Sequence, residues 1–128
     1  MPKNKIRRLG ERQLEIMKVL WERGEATVGE VHQVLAEKHD LAYTTIATML
    51  RKMEGRRLAW HRLEGRTFIY RALVEEAAVS RGMSDDLVDR LFAGSLADMV
   101  SHLLRTREVS REELSRLEGL IAERKRNG

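Results

Sequence analysis

The chain has 128 residues, with 24 Lys and Arg against 20 Asp and Glu, four His and no Cys. That length suits one compact domain or two small ones, and the missing thiols exclude disulfides, thiolate metal sites and a cysteine nucleophile. The longest stretch free of Lys, Arg, Asp and Glu is ten residues, Leu41 to Leu50, too short for the roughly 20 apolar residues of a membrane span.

In chain order, residues 1–8 form a basic tail with no apolar run behind it, so no signal peptide is expected and the chain reads as soluble and cytoplasmic. Its Lys3, Lys5, Arg7 and Arg8 either add phosphate contacts or only solubilise. The spacing of Ile16, Met17 and Leu20 predicts a helix over about 11–23, ended by Gly24. Thr27 to Glu30 reads as a capping box that starts a second helix running to about Lys38, with Val31, Val34 and Leu35 inward. His39, Asp40 and Leu41 form the turn. A third helix is predicted over about 44–56, with Thr44 as its N-cap.

At about 100° per residue, Ile46, Leu50 and Met53 share one face of that third helix, with Met49 beside them. Thr44, Thr45, Thr48, Arg51 and Lys52 fall on the other side, where hydroxyls and positive charge stand without a carboxylate. A solvated face normally mixes acids with bases, as Glu15, Lys18 and Glu22 do in the first helix. The pattern fits a helix that lies in a DNA major groove and offers hydroxyls, methyls and cations to bases and phosphates. Two β-like runs follow, 58–63 and 67–72, joined by Glu64, Gly65 and Arg66. Alternation puts Leu58, Trp60 and Arg62 on one face, and Arg62 and Arg66 at the tip are candidate backbone or minor-groove contacts. Three helices and then a basic hairpin is the order of a winged helix-turn-helix.

From Glu75 onward the pattern is helical only. The first segment, about 75–93, reads as interrupted near Gly82, because Ser84, Asp85 and Asp86 resemble a fresh N-terminus. The second starts at Ser95, and the third opens with the capping box Ser110 to Glu113, with Val109 and Leu114 as its hydrophobic staple. The last six residues are expected to fray. About 50 residues with one apolar stripe per helix cannot bury those stripes alone. Pairing with a second copy does, through Leu87, Leu91, Leu96, Met99, Val100, Leu103, Leu114, Leu117, Leu120 and Ile121. The division expected is 1–73 for the winged helix and 74–128 for a helical dimerisation region.

Charge follows the same division. Residues 1–72 hold 15 Lys and Arg against 9 Asp and Glu, an excess of six, while residues 73–128 hold 9 against 11. A basic half with most of the aromatics suits a polyanion partner. His32 and His39 stand seven apart, and His61 and His102 are isolated, so neither a metal site nor another cofactor is expected. No nucleophile–base set or phosphate loop appears, so an enzyme is not expected either.

Residues 14–21 (LEIMKVLW), 28–35 (VGEVHQVL), 41–54 (LAYTTIATMLRKME) and 64–72 (EGRTFIYRA) together resemble the BlaI/MecI/CopY penicillinase-repressor family, and 87–104 with 110–121 resemble its dimerisation region. The resemblance covers roughly residues 8–122. It implies a homodimeric transcriptional repressor on a palindromic operator with TACA/TGTA-like half-sites. Thr44, Thr45, Thr48, Arg51 and Lys52 then read the major groove and Arg66 serves the wing. There are three departures from the family pattern. The chain lacks the cysteine cluster of the copper-responsive branch, so copper or zinc sensing of that kind is not implied. The resemblance also brings a membrane-sensor protease as a partner, but the Asn–Phe bond cut in β-lactam-responsive members corresponds to His102–Leu103 here. Finally, Arg57 stands where the family usually has Gly, which predicts that Gly55 absorbs the bend after the third helix. Two alternatives stay open beside the repressor: a ligand-gated winged-helix regulator of another family, and a winged-helix adaptor that binds protein and not DNA.

Overall fold

The computed structural model describes residues 9–128, so the basic tail with Lys3, Lys5, Arg7 and Arg8 lies outside the described residues. The elements in order are α1 (Glu11–Arg23), β1 (Ala26–Thr27), α2 (Val28–Ala36), α3 (Tyr43–Gly55), β2 (Ala59–Glu64), β3 (Thr67–Ala72), α4 (Glu76–Phe92), α5 (Leu96–Thr106) and α6 (Arg111–Arg126). The chain forms two compact units, one reaching to Asp86 and one over Leu87–Gly128. The fold class is mainly α with a small β-hairpin wing, as the sequence predicts.

In the first unit, α1, α2 and α3 each bring an apolar stripe to a common core. Ile16, Met17, Val31, Ile46, Leu50 and Met53 are all completely shielded from solvent. Side chains of this kind each stabilise by about 1.5–3 kcal/mol when fully buried. Gly24 ends α1 at φ +82, a conformation costly for other residues. The Thr27 capping box forms in both directions: the Thr27 Oγ1 accepts from Glu30 N–H at 3.1 Å, and Glu30 Oε1 accepts from Thr27 N–H at 2.8 Å. After α2 the chain turns with two N–H groups, from Lys38 and His39, on the Leu35 carbonyl. The helix therefore stops at Ala36, two residues before the predicted end. His32 pins this turn by donating from Nε2 to the Leu41 carbonyl at 2.7 Å.

The start of α3 corrects the cap assignment. Ala42 is the N-cap, with extended backbone and no side-chain bond, so Thr44 lies inside the first turn with its side chain in solvent. The end of α3 corrects a second expectation. Gly55 stays helical, and Arg57 itself takes the left-handed conformation at φ +62. Arg57 N–H donates to the Glu54 carbonyl at 2.9 Å and Leu58 N–H to the Met53 carbonyl at 3.0 Å. These are the paired bonds of a Schellman termination, with Met53 and Leu58 buried as its apolar contact. Leu58 thus belongs to the helix stop and the core. It does not share an exposed strand face with Trp60, which is 42% exposed.

The sheet order is β1-β3-β2, all antiparallel. β1 is only two residues long and carries no sequence signal of its own; it exists because Ala26 and Thr27 pair with Tyr70 and Ile69. Glu64 pairs with Thr67, so the loop is Gly65-Arg66, with positive φ only at Gly65 (+63), as in a type II′ hairpin. The chain leaves β3 under a fixed contact: the Trp21 indole N–H donates to the Val74 carbonyl at 2.8 Å.

α4 is one continuous helix, which corrects the expected break at Gly82. That glycine is buried within the helix, as is Val79 one turn earlier, and Ser84 continues the helical path instead of capping a new one. In the second unit, the Ser95 and Ser110 hydroxyls accept from the N–H groups of Asp98 at 3.0 Å and Glu113 at 3.1 Å. α6 continues to Arg126 rather than fraying after Ala122. Arg124, Lys125 and Arg126 lie in its last turn, where cations favour the helix dipole.

Candidate nucleic-acid interface

The candidate interface is built on α3. Burial of Ile46, Leu50 and Met53 fixes its rotation about its own axis. Thr44, Thr48 and Arg51 then form one outward stripe at helical spacing, and Thr45, Thr48 and Lys52 its neighbour. All five side chains are exposed. Arg51 and Lys52 make no ion pair among the described residues. The structure therefore brings together the five predicted residues as one polar, cationic face without an acid.

The two wing arginines differ. Arg66 sits at the hairpin tip, exposed and without an ion pair among the described residues. Arg62 is held from two sides. Its Nε and Nη2 donate to Glu25 at 3.1 Å each, and its Nη1 donates to Glu64 at 2.9 Å. The same bonds hold the Glu25 carboxyl below the ordinary carboxylate range and raise the Arg62 guanidinium further. Arg62 thus ties β2 to the segment before β1, and its charge is matched internally. The wing's inner face carries His61, whose Nδ1 lies 2.6 Å from Glu54 Oε1 at the end of α3. Its ring stacks on Phe68 with centroids 4.0 Å apart. On the outer face the Arg71 guanidinium sits 5.0 Å over the Trp60 ring.

Sequence reasoning missed Tyr43. It is 52% exposed and meets His32 edge-on, with ring centroids 6.1 Å apart. No local signal in the sequence marks it, because the N-cap Ala42 has no capping side chain. A helix that starts there puts Tyr43 in the first turn, beside the threonines.

The predicted pairing residues lie on α4, α5 and α6. Leu87, Leu91, Leu96, Leu114, Leu120 and Ile121 are all large, apolar and exposed, Leu91 at 68% and Leu96 at 64%. Met99, Val100, Leu103 and Leu117 are half-buried. Val100, Leu114, Leu117, Leu120 and Ile121 come together around an apolar cavity of about 600 Å³. His102 and Leu103 lie inside α5, with the His102 ring 5.6 Å from Phe92. Among the described residues no helix is long and apolar enough to cross a membrane, and no group of three metal-ligating side chains comes together.

Three helices, a three-stranded sheet and a projecting hairpin, with a cationic α3 face beside it, define a winged helix-turn-helix protein. A family model for the penicillinase repressor matches residues 9–123, and the chain belongs to that family. It is 30% identical over 121 residues to the penicillinase repressor of Bacillus licheniformis, covering 94% of each chain. It is 31% identical over 121 residues to the transcriptional regulator BlaI of Mycobacterium tuberculosis, covering 93% of this chain and 86% of the other. The solved DNA-binding domain of the repressor BlaI superposes with a TM-score of 0.51 at 30% identity, covering 57% of this chain and 89% of that one. These relatives are named as repressors and regulators, not as enzymes.

Proposed function

We propose that the chain is a DNA-binding transcriptional repressor that acts as a homodimer on a palindromic operator. The observation that carries this reading is the α3 face, where Thr44, Thr45, Thr48, Arg51 and Lys52 stand exposed and unopposed over a fully buried stripe. Such a helix fits the major groove, with Arg51 placed for a guanine edge or a phosphate. Arg66 adds a backbone contact from the wing. Arg62 serves by holding the wing in place, and its own phosphate contact is secondary. Pairing is supported by the second unit, where no residue from Leu87 to Gly128 is buried within the single chain. Such a unit needs a partner surface to be stable, and a second copy supplies one by two-fold symmetry. The winged helix is assigned to residues 1–73 and the pairing region to 74–128, in the cytoplasm where the DNA lies. Release by a membrane-sensor protease is not assigned to His102–Leu103: that bond lies within α5, so cutting there requires the helix to unwind first.

The test is a gel-shift titration against the promoter of the chain's own gene. Arg51→Ala should weaken specific binding by about 1–3 kcal/mol, and unchanged affinity would remove Arg51 from base reading. A protein-binding adaptor would show no DNA affinity at any salt, whereas the repressor's affinity should fall steeply as salt rises.

A further inference from the structure

A cleft of about 360 Å³ opens where the start of α2, the start of α3 and the wing tip meet. Thr27 and Gly29 line one side, Tyr43 another, and Arg66, Thr67 and Phe68 the wing side. No carboxylate is among the lining residues. The acid next in sequence, Glu30, turns its carboxyl back to the Thr27 N–H, which holds it below the ordinary carboxylate range. Arg66 therefore faces the cleft with a charge that nothing among the described residues matches. Gly29 adds no side chain to the lining, and a Cβ there would make only ordinary contact, 3.9 Å from the Tyr43 ring.

The lining has the chemistry of a phosphodiester's surroundings. A phosphodiester is an anion with acceptors only, joined to sugars with apolar faces. Arg66 offers a guanidinium fork, Tyr43 and Thr67 offer hydroxyl donors, and the 42% exposed Phe68 offers an apolar wall. The cleft also adjoins the α3 face through Tyr43, so an occupant there is continuous with DNA held by α3. We infer that this cleft seats one backbone phosphodiester of bound duplex DNA, with Arg66, Tyr43 and Thr67 as its donors. The inference rests on the DNA-binding reading above and adds Tyr43 and Thr67 to it.

The test uses the full chain and a fluorescein-labelled duplex of random sequence, because a phosphate contact is independent of sequence. Anisotropy titrations run from about 50 to 200 mM salt. Tyr43→Phe removes a donor and no charge, so affinity should fall about tenfold with the salt slope unchanged. Arg66→Ala should lower the slope of log K against log salt by about one. The double variant should lose less than the two single losses combined, because both groups hold one phosphate. Tyr43→Phe at wild-type affinity, or full additivity in the double variant, overturns the cleft as a site. If Arg51→Ala still weakens binding in that case, the DNA-binding reading survives alone. A wild-type chain without affinity for any duplex at low salt overturns both.

Discussion

Arg57→Gly should make the protein more stable, and the magnitude follows from the stop of α3. Arg57 sits at φ +62 in the one residue of the termination that must be left-handed. A side chain with a Cβ costs about 1–2 kcal/mol in that conformation, and glycine none. Glycine widens the unfolded ensemble, which returns about 0.4–1 kcal/mol. The exposed Arg57 side chain makes no ion pair among the described residues, so its removal costs little. The two backbone bonds from Arg57 and Leu58 and the buried Met53–Leu58 contact survive the change. The net gain should be about 0.5–1 kcal/mol. Urea unfolding reads it directly: with a slope of about 1–3 kcal/mol per molar, the midpoint should rise by a few tenths of a molar. Protein concentration must be equal for both chains, because pairing shifts apparent stability. Arg57→Val is the converse, since a branched Cβ is a true outlier at positive φ, and its midpoint should drop. An unchanged or lower midpoint for Arg57→Gly, or a wild-type midpoint for Arg57→Val, would refute the assignment of strain to this residue.

Other changes test other contacts. Trp21→Phe removes the indole donor from the Val74 carbonyl and should cost about 1–2 kcal/mol by urea unfolding; a neutral result would mean that water replaces it. Glu15, Glu25 and Glu30 all sit below their ordinary value of 4.5, through bonds from His39, Arg62 and Thr27 respectively. Their stabilisation is complete above that value and is lost as pH falls through the depressed folded values. The urea midpoint should therefore hold between about pH 6 and 8 and fall below about pH 4, and a midpoint flat down to about pH 3 would contradict these pairs. Leu117→Asp puts a charge among the apolar residues of α5 and α6 and should give a monomer in sedimentation at micromolar concentration; a persistent dimer would place the interface elsewhere.

The features legible in the sequence are the ones with local causes. The Thr27, Ser95 and Ser110 caps form because acceptor and N–H lie three residues apart. The inward stripe of α3 and the Gly65 hairpin are local in the same sense. What was illegible depends on partners far along the chain. β1 needs β3, and the Arg62 guanidinium needs Glu25, 37 residues away. Gly82 looked like a helix break because glycine disfavours helix in isolation. Within α4 it is buried, and packing overrides a propensity of about 1 kcal/mol. The α3 start was misplaced because Ala42 has no side chain that signals a cap.

Arg62 also shows how counted charge and available charge separate. The first half of the chain carries an excess of six positive charges, but position decides which of them can meet a polyanion. Arg12 pairs with Glu15, Arg23 with Glu30, and Arg62 with both Glu25 and Glu64. Each of these ties one segment of the first unit to another or one turn to itself. Arg51, Lys52 and Arg66 have no such partner among the described residues, and they stand on the α3 face and the wing tip. Internal pairing thus withdraws Arg12, Arg23 and Arg62 from the available charge, while Arg51, Lys52 and Arg66 keep theirs on the α3 face and the wing tip. The salt slope of DNA binding should therefore follow the unpaired residues rather than the net charge, because only a cation that displaces a counterion from the phosphate contributes to it.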